Sequence, residues 1–214
     1  MVAKRSRWRR RKGARPAEIL SAALAVFVER GFAGTRLEQV AERAGVSKGT
    51  LYLYFDSKTA LLQEAIRAAV LPNVLQAEAV AQGYQGPSAV LIRTILSRMA
   101  TTMIETDLGA VLKLVIAEAG NFPELAKFYY TEIIARGFRL FGGILARGIK
   151  RGEFRPLDIE DTVRLTIGPM LVGVVWRHTF EGPAGAPLDV KKFVDNHLET
   201  LLHGIAARPG GSAT

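Results

Sequence analysis

The sequence of 214 residues contains no cysteine, and this absence removes several kinds of site at once. Without thiols the chain can form no disulfide, no thiolate metal site and no cysteine nucleophile. Histidine is also scarce: the only three are His178, His197 and His203, and they do not form a HExxH pattern. We expect surface or packing roles for them and no metal site. The lack of cysteine is compatible with a reducing cytoplasm, where we expect the protein to act.

Long apolar runs are missing as well. The most apolar run, Leu165–Trp176, has twelve residues and an arginine on each side, whereas a helix that crosses a bilayer needs about 20. The basic N-terminus does not lead into the apolar core of a secretion signal. We therefore interpret residues 165–176 as a buried helix and expect no membrane partner.

Motifs of common enzyme classes are absent too. The chain has no glycine-rich phosphate loop of Walker or Rossmann spacing and no nucleophile elbow. It also shows no internal repeat. We predict that the protein is not an enzyme and needs no cofactor.

Acidic residues are missing from the first 15 positions, which hold eight lysines and arginines. The whole chain has a formal net charge of +9, so the other residues are close to neutral together. A basic arm favours an anionic partner, and we expect residues 1–12 to bind phosphates or a minor groove. A solubilising or cloning-derived tail is the alternative.

The segment Thr35–Lys58 reads as two short helices joined by a tight turn. Thr35 and Glu38 have the spacing of a capping box, which predicts that the first of these helices begins at Thr35. Gly45 supplies the turn, and Ser47 caps the second helix, predicted over Lys48–Phe55. A preceding helix is predicted from Pro16 to Arg30, so the three together indicate a helix-turn-helix.

The helix after the turn carries polar and aromatic side chains on its outer sides. Leu51 and Phe55 are four residues apart and are predicted to face inward. Hydroxyl and ammonium groups donate to phosphates and base edges, and Gly49 allows close approach of the backbone. Half-buried packing is the alternative for the two tyrosines. The predicted DNA-binding residues are Thr35, Arg36, Ser47, Lys48, Gly49, Thr50, Tyr52, Leu53, Tyr54 and Lys58.

Residues 44–58, AGVSKGTLYLYFDSK, resemble the signature of the TetR family of transcriptional repressors, and residues 16–66 share the organisation of its N-terminal domain. Tyr54 stands where the family often has histidine, which leaves the operator sequence open. The segment Leu112–Tyr130 is similar to the C-terminal domain of AefR-like members. The resemblance implies an all-α fold, with a three-helix DNA-binding domain followed by a helical bundle for ligand binding and dimerisation.

We predict four regions along the chain. They are the basic arm at 1–15, the helix-turn-helix domain at 16–60, the ligand-binding and dimerisation domain at 61–207, and a flexible tail at 208–214. Pro72 is expected to kink or divide the helix that begins near Ser57. The later helices are predicted over Ser88–Glu105, Leu108–Ala119, Glu124–Lys150, Asp158–Arg177 and Leu188–Ala206.

The last two of these helices are the predicted homodimer interface. They carry more apolar surface than one helix face needs, and with their symmetry mates they would form a four-helix bundle. A dimer is expected because specific affinity needs two readers about 34 Å apart on DNA. Burial of these side chains within one subunit is the alternative.

The resemblance also implies a small apolar or amphipathic effector. Methionines and aromatics at helical spacing are usually core, but the family association favours a cavity among some of them. The predicted ligand-binding residues are Met99, Met103, Phe128, Phe138, Phe141 and Trp176.

The leading hypothesis is a repressor that binds a palindromic double-stranded operator as a homodimer and is released by its ligand. Two alternatives remain open. One is a small-molecule-binding protein with a vestigial helix-turn-helix, and the other is a nonspecific nucleic-acid-binding protein that depends on the basic arm.

Overall fold

The computed structural model describes residues 15–207, which are helical throughout apart from turns and loops. Within this range the only β-type pairing is an isolated antiparallel bridge between Phe154 and Ala206. The all-α prediction is confirmed. The predictions for the basic arm and for the tail at 208–214 fall outside the described residues.

Eleven α-helices and two short π-helical segments make up this part of the chain. The first helices are α1 (Arg15–Gly34), α2 (Leu37–Arg43), α3 (Lys48–Tyr52) and α4 (Lys58–Gly83). They are followed by α5 (Ser88–Ile104), α6 (Leu108–Glu118), α7 (Pro123–Tyr129) and α8 (Ala135–Lys150). The last are α9 (Ile159–Val175), α10 (Glu181–Ala184) and α11 (Val190–Ile205), and the π-helical segments are Tyr130–Ile134 and Trp176–Phe180.

The predicted start of α2 is wrong by two residues. Arg36 is its N-cap, and the Arg36 backbone N–H donates to Gln39 Oε1 over 3.1 Å. The Thr35 hydroxyl donates instead to the carbonyl of Gly31 over 2.7 Å, at the end of α1. Thr35 therefore secures the preceding turn and does not form a capping box with Glu38.

The end of α3 and the continuity of α4 also differ from the prediction, and the predicted helix Glu124–Lys150 is divided into α7, a π-helical segment and α8. Helix α3 ends at Tyr52 and not at Phe55, although the Phe55 N–H still donates to the Leu51 carbonyl. Helix α4 contains Pro72 and continues for 26 residues, so the helix is not divided there. Proline removes one backbone donor from a helix, and the remaining turns of α4 hold.

The described residues fall into two compact units. The first contains the described residues up to Pro72 together with Leu114–Phe128, and the second contains Asn73–Lys113 and the residues from Tyr129 onward. Helices α4 and α6 therefore each contribute residues to both units. The first unit extends beyond the predicted boundary at residue 60 and includes Leu114–Phe128, a segment of the predicted ligand-binding and dimerisation domain.

The core of the first unit is built from α1, α3 and the start of α4. Phe27, Leu51, Leu61 and Ile66 are fully buried there. Burial of each such side chain is worth about 1.5–3 kcal/mol. This packing fixes the short helix α3 against its neighbours.

The core of the second unit centres on α5, which contacts α8, α9 and α11. Phe141 and Leu145 of α8 and Met170 of α9 belong to the buried residues of this unit and have almost no solvent exposure. No described helix is both long enough and apolar enough to span a bilayer.

Candidate DNA-binding surface

Helix α3 is held at its N-terminus by the residue predicted to cap it. The Ser47 Oγ accepts a hydrogen bond from the Thr50 N–H over 3.0 Å, and it lies 2.8 Å from the Thr50 hydroxyl. Leu51 on the inner side is fully buried. The orientation of the outer side of α3 is therefore set by a cap and by the core.

The end of α3 and the two residues after it carry exposed aromatic and aliphatic side chains. Tyr52 is 46% exposed, Leu53 83% and Tyr54 43%. Tyrosine hydroxyls can donate to phosphate oxygens, and an exposed aliphatic side chain can contact the methyl group of thymine. Three consecutive exposed residues of this kind form a surface suited to nucleic acid.

Cationic groups lie beside these side chains. Lys48 forms an ion pair with Glu38 of α2, and its ammonium lies 5.8 Å from the centre of the Tyr52 ring. The hydrogen bond in this pair lowers the pKa of Glu38 and raises the pKa of Lys48. Arg36 is exposed, and Gly49 faces open space, with only Ser47 Oγ near the position of a Cβ.

Two of the ten predicted contact residues face the protein instead. Thr35 is only 2% exposed. The Lys58 ammonium donates to the carbonyls of Phe32, over 2.8 Å, and of Thr35, over 3.2 Å, and lies 4.6 Å from the Phe32 ring centre. Both side chains hold the turn between α1 and α2, and we keep direct DNA contact as a prediction for the other eight.

The same turn is braced by residues that the sequence did not single out. The Glu118 carboxylate, at the end of α6, accepts a hydrogen bond of 2.7 Å from the Phe32 N–H. Phe122 packs edge-on against Phe32, with ring centres 4.5 Å apart. Gly31 has φ 72°, and a Cβ there would lie 3.0 Å from Glu118 Oε1. Glycine at position 31 thus allows both the turn and the close carboxylate.

One feature of the sequence indicates a special role for Glu118. An acidic residue at the C-terminus of a helix opposes the helix dipole, and Glu118 is the last residue of α6. Its partner, 86 residues away, has no local signature.

The predicted ligand-binding residues do not form one cluster. Phe128 belongs to the first unit and lies under Arg67, with 5.1 Å from the guanidinium to the ring centre. Phe138 similarly lies under Arg164 of α9, at 5.8 Å. The other members are the buried Phe141, the half-buried Met99 and Met103, and Trp176, whose Nε1 donates to the Ala186 carbonyl over 2.9 Å.

A groove of about 340 Å³ lies elsewhere in the second unit, among α4, α5 and α8. None of the six predicted residues lines it. Leu91, Leu140 and Ile144 contribute apolar surface, while Arg139 and Arg147 contribute positive charge. The Arg147 guanidinium also donates to the Tyr84 carbonyl over 2.8 Å.

His178 occupies a crowded position in the second π-helical segment. Its imidazole takes the space that a side chain at Gly109 would need, and its Nε2 is buried without a partner among the described residues. The pKa of His178 is lowered, first by burial and then by the charge of Arg177. Within residues 15–207, no cluster of three or more histidines and carboxylates could hold a metal ion.

Two known protein families match separate parts of this chain. Residues 19–65 match the family described as bacterial regulatory proteins, tetR family. Residues 91–187 match the family described as tetracyclin repressor-like, C-terminal domain. The more specific AefR-like resemblance stays a prediction.

Individual proteins are similar over most of their length. The HTH-type transcriptional repressor KstR2 of Rhodococcus jostii (strain RHA1) is 29% identical over 202 residues, which cover 92% of this chain and 93% of that protein. The uncharacterized HTH-type transcriptional regulator YdeS of Bacillus subtilis (strain 168) is 31% identical over 153 residues, covering 71% and 74%.

Solved structures share the fold. The transcriptional regulator FadR from Bacillus subtilis, crystallised in complex with stearoyl-CoA, superposes with a TM-score of 0.75 at 22% identity, covering 88% of this chain and 98% of FadR. The matches to the two family models and the similarity to YdeS agree with the helix-turn-helix surface described above. The chain therefore belongs to the TetR family of bacterial transcriptional regulators.

Proposed function

We propose that the protein is a repressor that binds a palindromic operator as a homodimer and releases it when an amphipathic effector binds. The observation that carries the DNA-binding half is the exposed run Tyr52–Tyr54 at the C-terminal end of the capped and anchored helix α3. KstR2, similar over most of its length, is named as a repressor.

The outward face of α9 supports dimerisation. Leu165 is 68% exposed and Val172 62%, and Leu171 is 38% exposed. Gly168 adds no side chain on this helix and has no atom near its Cβ position, so a second helix can approach closely. A stable interface buries about 1,200–2,000 Å² in total, and exposed leucine and valine are suited to its centre.

The inward face of α9 needs no second subunit. Met170 and Val174 have no solvent exposure within one chain. A side chain at Gly173 would meet Ile104 and Phe193, so this glycine serves packing within the subunit. The interface that we propose therefore excludes these three positions, although they lie on a helix of the predicted interface.

The effector that we propose is an amphipathic anion such as a long-chain acyl thioester. FadR, which shares the fold, was crystallised with stearoyl-CoA. The groove in the second unit joins apolar Leu140 and Ile144 to two arginines. That combination suits an alkyl chain attached to a phosphate or carboxylate group.

Competition binding tests the DNA-binding half of the proposal. The operator is first selected from a random library of duplexes, and its affinity is then compared with that of scrambled duplexes at several salt concentrations. We expect a preference of about 10³ or more for a palindrome. Equal affinity for all duplexes would support the nonspecific alternative, and no salt-dependent binding would support a vestigial helix-turn-helix.

Release by an effector is tested on the complex with the selected operator. Stearoyl-CoA is expected to dissociate it, whereas free CoA should leave it intact. The variant Arg139→Ala should need about tenfold more stearoyl-CoA, because one charge-assisted contact is removed. The matched control is Arg93→Ala, an exposed arginine on α5 that does not line the groove. If the two variants need the same concentration of stearoyl-CoA, the groove is not the effector site.

A further inference from the structure

The recognition surface contains an acidic side chain close to the predicted phosphate contacts. Glu38 lies in the first turn of α2, with its side chain 57% exposed. Its carboxylate accepts a hydrogen bond from the ammonium of Lys48, the first residue of α3. A carboxylate in the first turn of a helix favours the helix dipole, but beside a phosphate-binding surface it also repels DNA, so it affects binding as well as the helix.

Stability is a poor reason for this ion pair. Lys48 is 51% exposed, and ion pairs between exposed side chains contribute little because water and salt screen them. Helix α3 is already anchored by the Ser47 cap and by buried Leu51. The Glu38–Lys48 pair is not required to hold the recognition helix in place.

The pair does control where the positive charge of Lys48 lies. The carboxylate holds the ammonium on the side of α2, and the ammonium lies 5.8 Å from the centre of the Tyr52 ring. A lysine in this position must break or share its ion pair before it can bind a phosphate. DNA binding therefore competes with an interaction inside the protein.

This competition affects binding to nonspecific DNA and binding to the operator differently. Nonspecific binding consists almost entirely of phosphate neutralisation. Operator binding depends in addition on contacts that other side chains of this surface make with base edges, so the operator complex can form while Lys48 stays paired with Glu38. A carboxylate that restrains a phosphate-binding lysine thus weakens nonspecific binding by a larger factor than operator binding.

We propose that Glu38 is a specificity-determining residue, which pairs with Lys48 in the free protein and thereby lowers affinity for nonspecific DNA more than affinity for the operator. The inference rests on DNA binding through α3, as proposed above. It adds a residue that makes no favourable contact with DNA itself.

The chain offers a matched control for the substitution. Glu29 of α1 forms an exposed ion pair with Arg43 of α2 over 2.5 Å, with side-chain exposures of 51% and 45%. This pair resembles Glu38–Lys48 in chemistry and exposure but does not involve α3. Glu29→Gln therefore makes the same change in net charge without releasing a side chain of the recognition helix.

The experiment compares the full-length protein with Glu38→Gln, Glu29→Gln, Lys48→Ala and the double variant Glu38→Gln/Lys48→Ala. Each is titrated with a scrambled duplex and with the selected operator at several salt concentrations. For Glu38→Gln we expect scrambled DNA to bind about tenfold more tightly, with a plot of log affinity against log salt steeper by about 1, the effect of one added phosphate contact. Operator affinity should rise less, so the specificity ratio should fall about threefold or more.

The double variant separates release of Lys48 from simple loss of repulsion. If Glu38 acts by restraining Lys48, Glu38→Gln should have little effect once Lys48 is alanine. The proposal is overturned if scrambled-DNA affinity is unchanged, if Glu29→Gln has an equal effect, or if Glu38→Gln keeps its full effect beside Lys48→Ala. Loss of operator binding alone would also overturn it, since Glu38 would then be a direct reader of a base.

The wild-type titrations test the underlying function independently. If wild-type protein shows no preference for any duplex, DNA recognition by α3 fails, whatever the variants do. Circular dichroism melting of each variant checks that the fold is retained.

Discussion

At the scale of the residue, Leu51 and Tyr52 are neighbours in α3 with opposite surroundings. Leu51 is fully buried and Tyr52 is 46% exposed. Tyr52→Ala is therefore expected to reduce operator affinity by tenfold to a hundredfold, the effect of about 1–3 kcal/mol in a lost contact, while the free energy of unfolding changes by less than about 1 kcal/mol. Gel-shift titration and urea denaturation measure the two quantities.

Leu51→Ala is the contrasting variant. Removing a buried leucine side chain leaves a cavity and costs about 2–5 kcal/mol of unfolding free energy. If Tyr52→Ala destabilises the protein as strongly as Leu51→Ala, Tyr52 belongs to the core and the contact prediction fails.

His178 predicts how stability depends on pH. Burial and the charges of Arg177 and Lys113 lower its pKa in the folded protein, while a hydrogen bond with the Ile104 backbone and the charge of Asp107 oppose them. An unfolded histidine has a pKa of about 6.5, so the unfolded chain binds this proton more readily. The stabilisation is fully present above pH about 6.5 and is lost as the pH falls below that value.

Urea denaturation between pH 7.5 and pH 5.5 tests this sign. The wild-type protein should lose more unfolding free energy over this range than His178→Asn, because the variant lacks the titrating group. His203→Asn, an exposed histidine of α11, is the control and should behave as wild type. If the pH dependence of His178→Asn equals that of the wild type, His178 does not titrate as described.

At the scale of the element, α6 carries two side chains that form hydrogen bonds with residues distant in sequence. Lys113 donates from its side chain to the His178 carbonyl over 2.8 Å, and Glu118 holds the Phe32 N–H. We expect Glu118→Ala to reduce operator affinity about threefold to tenfold and to cost about 1–3 kcal/mol of stability, since the Phe32 N–H is left without its partner. Glu118→Gln should have a much smaller effect, because an amide oxygen also accepts hydrogen bonds.

Hydrogen exchange at the Phe32 amide distinguishes this loss from general destabilisation. Exchange there should accelerate in Glu118→Ala more than at the buried amides of α5. Uniform acceleration across the protein would contradict a local role for Glu118.

Helices with a clear local pattern were predicted well. Helix α5 begins at the predicted Ser88, and the Asp158 side chain caps α9 as expected, accepting from the Asp161 N–H over 2.8 Å. The sequence-based predictions of local structure are wrong where tertiary contacts determine that structure. Thr35 has the sequence of a cap but bonds backward to Gly31, and no periodicity indicates the π-helical turn at Trp176–Phe180.

The residues of the candidate site also differ in how well the sequence predicts them. The signature around Lys48 and the tyrosines marked the recognition helix, because those residues are contiguous in sequence. The roles of Lys58 and Glu118 depend on partners 26 and 86 residues away. The effector residues were the least predictable, since an apolar groove has no sequence code and the same side chains serve the core.

At the scale of the whole molecule, the proposed dimer predicts a link between assembly and DNA binding. Leu165→Glu places a charge on the exposed face of α9 and is expected to convert the dimer to monomer at micromolar concentration. Operator affinity should fall at least a hundredfold, because one recognition helix reads only a half-site. Analytical ultracentrifugation and gel-shift titration measure the two effects.

Val90→Glu is the matched control for this prediction. Val90 is 48% exposed on α5, so the substitution makes the same change from apolar to acidic on another surface. A dimer that survives Leu165→Glu and fails with Val90→Glu would place the interface away from α9.

The undivided helix α4 has a mechanical consequence. Within the first unit it runs from Lys58 to Pro72, about 22 Å at 1.5 Å per residue. A tilt of this segment by about 9° around Pro72 displaces Lys58 by about 3.4 Å, the rise between base pairs along one strand. Lys58 is bonded to the turn that leads into α2. A modest rotation of the start of α4 would therefore move this turn by about one base-pair step.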